Sequence, residues 1–312
     1  YTHDEGYIID EDGYVFDCYS SNNPEGGPID YLIGPNDGNW GIKAENVNSI
    51  EIKNCVFGGW AYDVFLDYVD NSLIKNNDLG EGSGLGIRMT NSNGNNITQN
   101  NPIQNTEFGS GIFLENSNNN EISHNLIQNI TYDGVILINS DNNHIYGNAI
   151  KNNYYDGIYL FYSDYNTITG NTPNENRWNG IELDNSNNNL INDNWGFDNG
   201  EYLIRLWNSN SNQILNNQLL GENINGLFLK NSNNNEISSN IACQNDYFSY
   251  LSFMCITSTD NHGTGNILGS YVDNYPYGFY MLGVIECDDG WPVNEINYVA
   301  CNQCNDGTLE YT

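Results

Sequence analysis

Four carboxylates near the middle of the chain recur at a spacing that could support acid–base chemistry. Asp133 and Asp156 lie 23 residues apart, each preceded by Tyr and followed by Gly and a β-branched residue. Glu182 and Asp184 follow within Gly-Ile-Glu-Leu-Asp, and Arg205 stands 23 residues after Glu182. If 23 residues make one layer of a stacked fold, Asp133 and Asp156 come within roughly 5 Å of each other. Carboxyl pairs at about that separation serve retaining glycosidases, and wider pairs serve inverting ones. A close pair also splits its pKa values, as acid–base work requires. Aromatic residues keep the same spacing. Tyr132, Tyr155 and Trp178 share one position, and Tyr159, Phe161, Arg205 and Trp207 fall just beyond. Sugar rings stack on Tyr and Trp while carboxylates take their hydroxyls, so residues 132–207 are a candidate glycan-binding groove. The competing expectation is that this face is covered, by the Tyr-rich C-terminal stretches or by a partner. A polysaccharide lyase would need a basic residue and usually calcium. Arg88, Arg177 and Arg205 are the only arginines, and spacing gathers no acidic trio around one.

Metal-binding patterns are sparse. His3, His124, His144 and His262 do not cluster in sequence. Tyr1-Thr2-His3 has the form of an amino-terminal copper motif, in which the free amine, two amides and an imidazole make a square plane suited to Cu2+. The motif needs only one His, so it is weak. Calcium (Ca2+) on paired corner carboxylates is plausible chemistry without a specific signature.

These residues must be positioned by the repeat that contains them. From Gly86 onward the chain has a period of 23 after a first step of 25, marked by Gly-Ile or a variant at Gly86, Gly111, Gly134, Gly157, Gly180, Leu203 and Gly226. A second apolar mark recurs at Ile97, Ile122, Ile145, Ile168, Ile191, Ile214 and Ile237. Three residues after each comes Asn, from Asn100 to Asn240; another Asn column lies two before each Ile, and a Ser column precedes that. A fixed period with short alternating runs such as "GIFLE" and "GIYLF" and no room for an amphipathic helix predicts one coil of a parallel β-helix per unit. Coils then stack at the strand spacing and equivalent residues form columns. Asn tolerates the left-handed corner conformation and can hydrogen-bond up and down a stack, and Gly before each Ile would give the other corner its freedom. Asn54 and Asn77 extend the Asn column backward, although the Ile register slips there, between Ile50 and Ile52 and between Leu73 and Ile74.

The stretches "SIEIKNC", "GIYLFYSDYNTITGN" and "GIELDNSNNNLINDN" resemble the Asn-rich repeats of the NosD-type right-handed β-helix family, also described as carbohydrate-binding and sugar-hydrolase (CASH) repeats. The resemblance covers about residues 39–246. It implies an all-β, single right-handed parallel β-helix of about 23 residues per coil. The resemblance also implies a kinship with archaeal surface proteins and, through NosD, a link to copper delivery. It says little about activity, because one fold hosts many chemistries. The expected organisation is an entry segment at 1–38, repeats at 39–246, and irregular Cys-containing coils and cap at 247–312.

Composition narrows the partners. The 312 residues carry 8 Lys+Arg against 40 Asp+Glu, a formal net charge of −32. Nucleic acid and anionic membrane surfaces are repelled by such a chain. No run of 18 apolar residues is present, so no membrane insertion is expected of this segment, and a start at Tyr1 fits a mature, secreted or cell-surface form. Seven cysteines, Cys18, Cys55, Cys243, Cys255, Cys287, Cys301 and Cys304, cluster towards the two ends, which suits disulfide staples in an oxidising compartment. Cys18–Cys55 is the natural N-terminal pair. The odd count leaves one thiol over, and with irregular ends this makes end-to-end self-assembly into an oligomer or filament an expectation to test. Asn96 and Asn129 begin Asn-Ile-Thr sequons, candidates for glycosylation. The sequence favours a non-catalytic extracellular structural or adhesion protein, binding glycans on its aromatic face. The rivals are a carbohydrate-active enzyme using the same carboxylates, and a copper accessory protein.

Overall fold

The computed structural model describes residues 6–19, 31–34, 39–80, 84–104, 109–221, 225–244, 253–263, 266–270, 285–287 and 297–298. Every strand pair is parallel, and neighbouring strands come from successive passes of the chain. A regular coil contributes three short strands. In one coil these are Val135–Ile138, His144–Tyr146 and Ala149–Lys151. The first strands form a twelve-stranded sheet and the second a ten-stranded sheet. The third face is split into sheets of seven and five strands, and the break falls after Thr172–Asn174. Pro173 occupies that strand and has no N–H to give to a ladder.

The period of 23 is the register itself. Ile112, Val135, Ile158, Ile181, Ile204 and Leu227 pair in succession along the first sheet, and Ile122, Ile145, Ile168, Ile191, Ile214 and Ile237 along the second. These side chains are buried to within 1% and fill the interior. The slip near the N-terminus resolves: Ile52 and Ile74 pair in line with Ile97, while Ile50 is buried beside them. Strands Tyr7–Ile9 and Val15–Asp17 already stack on Trp40–Glu45 and Glu51–Lys53.

The Asn columns are ladders, with a division of labour the sequence does not display. Neither invariant column is left-handed. The residue immediately before each ladder residue carries the positive φ instead: Asn119, Asn142 and Asn188 before one column, Gln99, His124 and Asn216 before the other. The ladder amides are buried. Asn148 Oδ1 accepts the backbone N–H of Asn125 at 2.9 Å and its Nδ2 at 3.0 Å, and Asn148 Nδ2 donates to Ile122 O at 2.8 Å and Asn171 Oδ1 at 3.0 Å. Each amide thus satisfies two backbone groups of the preceding coil, at a corner where no strand ladder can. A further short ladder, Asn153–Asn176–Asn199, closes the corner after the third strands.

Two expectations change in detail. Asn54 is a left-handed corner residue (φ 58°), and the ladder position next to Asn77 belongs to Cys55, whose N–H donates to Asn77 Oδ1 at 3.0 Å. The Cys18–Cys55 disulfide forms, and it sits where the Asn ladder ends. The Gly before each Ile is needed for space rather than for φ. A Cβ on Gly134 would lie 2.6 Å from Ile150 Cγ2 and 2.7 Å from Gly157 O. The remaining cysteines have no described side chains, and Cys301, Cys304 and the Tyr-rich stretch 271–280 lie outside the described residues.

Candidate functional site

Asp133 and Asp156 occupy a corner column at the entrance to the first sheet, followed by Asn179 and Tyr202. The Asp156 N–H donates to Asp133 Oδ1 at 3.0 Å, Asn179 N–H to Asp156 Oδ1 at 2.7 Å, and Tyr202 N–H to Asn179 Oδ1 at 3.1 Å. The two aspartates therefore serve as ladder residues, one oxygen each committed to the backbone of the next coil. They are 8% and 4% exposed. Asn179 is a site residue that the sequence reading did not single out. Its Nδ2 donates to Asp156 Oδ1 at 2.9 Å and to Glu182 Oε2 at 2.7 Å, tying the corner to the sheet. The available signal was its place in the Asp133 column at a step of 23.

Glu182 lies on the outer face of strand Ile181–Asp184, yet it is only 6% exposed, because its neighbours close over it. Ile136 and Phe228, in the same column along the first sheet, are covered in the same way. Arg205 Nη1 donates to both Glu182 carboxylate oxygens at 3.1 Å. The Arg205 guanidinium also lies 4.6 Å over the Trp207 ring, which Lys230 approaches at 4.2 Å. Trp207 is thus shared by two cations.

Burial sets the protonation of this cluster. It pushes the Asp133 carboxyl up to about 6, opposed by the Asp156 N–H and assisted by the Glu182 charge. Burial raises Asp156 well above the usual range, with the Glu182 and Asp133 charges adding to it. Glu182 is raised by burial, in spite of the Arg205 charge and the hydrogen bonding with Arg205 and the Asp156 side chain. Asp184 is raised by burial and hydrogen-bonded by Tyr159, whose own hydroxyl is pushed up by burial and the surrounding acids. Burial and their mutual repulsion together disfavour ionisation of these four carboxyls.

Beside the acids runs a line of rings. Tyr132 and Tyr155 are 5.3 Å apart, and Tyr155 meets Trp178 edge-on at 4.7 Å. Tyr132 is 45% and Trp178 41% exposed. Tyr159 and Phe161 form a second, partly covered pair at 6.2 Å. The expected aromatic and acidic residues therefore do come together on one face, with open rings and committed carboxylates.

Other candidates are dispersed. Among the described residues no three His, Cys, Asp or Glu side chains converge as metal ligands. His124 and His144 pack against Tyr146. This donor set does not fit a copper centre, and His3 lies outside the described residues. Asn129 is exposed at a left-handed corner (φ 55°), whereas Asn96 is half-buried in a strand and donates to Glu121 at 3.2 Å. No helix among the described residues is long and apolar enough to cross a membrane.

A coiled stack of parallel strands with inward Ile columns and Asn ladders defines a β-solenoid. The family model described as "Right handed beta helix region" matches residues 110–283, more than half of the chain, which belongs to that family. Residues 31–156 match a second model, described as "Periplasmic copper-binding protein (NosD)". No curated protein matches. Among solved structures, the chain is similar to the Dettilon tailspike protein (17% identity, TM-score 0.63, covering 86% of this chain and 58% of that one). It is also similar to a mutant of the periplasmic alginate epimerase AlgG (14%, 0.65, 94% and 76%). A third is DFA-IIIase from Arthrobacter chlorophenolicus A6 in complex with GF2 (13%, 0.67, 89% and 87%). At these identities the likeness is one of fold. The chain spans somewhat over half the length of the tailspike chain.

Proposed function

We propose that this protein binds carbohydrate on the outer face of its first sheet and does so without turning it over, as a secreted or cell-surface structural or adhesion protein. The observation that carries this is the open line Tyr132–Tyr155–Trp178 beside carboxylates already committed to the backbone, to Asn179 and to Arg205. Exposed rings spaced one coil apart offer stacking faces for consecutive sugars. The name of one similar structure, an alginate epimerase, agrees with a carbohydrate partner. The test is a glycan array followed by titration of the best ligand. Trp178→Ala is expected to weaken binding about tenfold, the equivalent of about 1.4 kcal/mol. Binding that survives loss of both Trp178 and Tyr155 unchanged would remove the proposal.

One observation favours an enzymatic reading: Asp133, Asp156 and Glu182 are buried together, and burial pushes Asp133 up to about 6 and raises Asp156 and Glu182. A carboxyl whose pKa is raised by burial is suited to act as a general acid. Release of reducing ends from a bound glycan, abolished by Asp156→Asn or Glu182→Gln, would establish that reading over the non-catalytic one.

A further inference from the structure

A second surface, on the corner between the first and second sheets, has the form of a binding groove. Two cavities lie there on one line. The first runs between Tyr68, Asn91 and Asn116 on one wall and Asp70, Asn93 and Asn118 on the other. The second continues the same columns further along, with Tyr162, Asn185 and Asn208 facing Asp164, Asn187 and Asn210. Because the columns step once per coil, the walls repeat at about 4.8 Å.

One wall is held rigidly by the backbone. Asn93 N–H donates to Asp70 Oδ1 at 2.6 Å, Asn118 N–H to Asn93 Oδ1 at 2.8 Å, and Asn187 N–H to Asp164 Oδ1 at 2.6 Å. Each of these side chains gives one oxygen to the backbone of the next coil, which fixes the wall and presents its amide NH2 groups as donors in a regular array. Their contacts within the wall are long: Asn93 Nδ2 to Asp70 at 3.3 Å and Asn187 Nδ2 to Asp164 at 3.4 Å. On the other wall Tyr68 and Tyr162 are 56% and 53% exposed, four coils and so about 19 Å apart.

We propose that this groove holds an extended, uncharged polysaccharide lying parallel to the solenoid axis, with sugar rings stacked on Tyr68 and Tyr162 and hydroxyls bonded to the amide walls. The recurrence of one donor set per coil suits a polymer better than a single small molecule. No Lys or Arg lines either cavity, and Asp70 and Asp164 stand in the wall, so a polyuronate would be repelled. A peptide adding as a strand is disfavoured because the corner backbone is already bonded from coil to coil, as in Asn91 N–H to Glu115 O and Asn116 N–H to Ile138 O. This surface is separate from the Tyr132–Trp178 line and does not depend on it.

The test is affinity electrophoresis of the full chain through gels containing a mixed-linkage β-glucan, a galactomannan, alginate or polygalacturonate. The double variant Tyr68→Asn/Tyr162→Asn installs the residue that fills the same column at Asn91 and Asn116, so the corner retains its left-handed geometry. Retardation by a neutral polymer, reduced at least fivefold in the double variant, is the expected result. Three results would overturn the proposal: no retardation by either neutral polymer, retardation by the uronates alone, or full retardation in the double variant. Loss in Trp178→Ala with the double variant unaffected would place the only glycan site on the first-sheet face.

Discussion

Asp133 shows how one residue can be both structural and chemically tense. Its Oδ1 accepts the Asp156 N–H, yet burial raises its pKa from 3.8 to about 6. The folded state therefore holds a proton that the unfolded chain has released across roughly pH 4 to 6. Stability is highest below that window and falls as pH rises through it. Asp133→Asn keeps the accepting oxygen and removes the charge. The variant is expected to be more stable than the parent at pH 7, on the order of 1–3 kcal/mol, with the difference vanishing near pH 4. Urea unfolding at the two pH values measures this, and an Asn variant no more stable at pH 7 would count against the buried-charge account. Glu182 is a poorer subject for the same exchange, because Arg205 would be left without its partner.

At the scale of the element, the unit of stability is the rung rather than the strand. Strands of three or four residues are too short to persist alone. The corner ladders join them by satisfying the backbone where strand pairing stops. Asn148→Ala would strand the Asn125 N–H and the Ile122 carbonyl together and should cost about 2–4 kcal/mol. Asn152, at an exposed left-handed corner of the same coil (φ 56°), provides the contrast. Asn152→Gly should stay within about 0.5 kcal/mol of the parent, since glycine accepts that conformation freely. Thermal unfolding of the pair separates ladder Asn from corner Asn, two roles that the Asn-rich decamers present as one composition.

Across the whole molecule each coil touches only its neighbours, so stability is a sum of local terms and the ends are the weak points. The Cys18–Cys55 disulfide ties the first strands to the next coil, across a sequence separation of 37. Reduction is expected to speed hydrogen exchange in Tyr7–Ile9 and Val15–Asp17, leaving protection of the coils from Ile112 to Asp184 unchanged. Uniform loss of protection along the chain would show instead that the solenoid unfolds as a single cooperative unit.

The sequence alone determined the architecture, because a 23-residue period becomes strand register directly once coils stack. Ile145, Leu137 and Asn148 could be placed in the core or a ladder by counting. Counting also put Tyr132, Tyr155 and Trp178 in a row, and Asp133 above Asp156. It could not say which Asn would be left-handed, since φ is set by where the corner bends and not by residue type. Nor could it show that Cys55 takes over the Asn ladder, which follows from a coil one residue shorter there. The state of the acids was likewise hidden. Whether Glu182 is an open carboxylate or a buried one gripped by Arg205 depends on how the side chains of adjacent coils close over it. Period fixes which residues are neighbours; only the packing between them decides exposure, partner and charge.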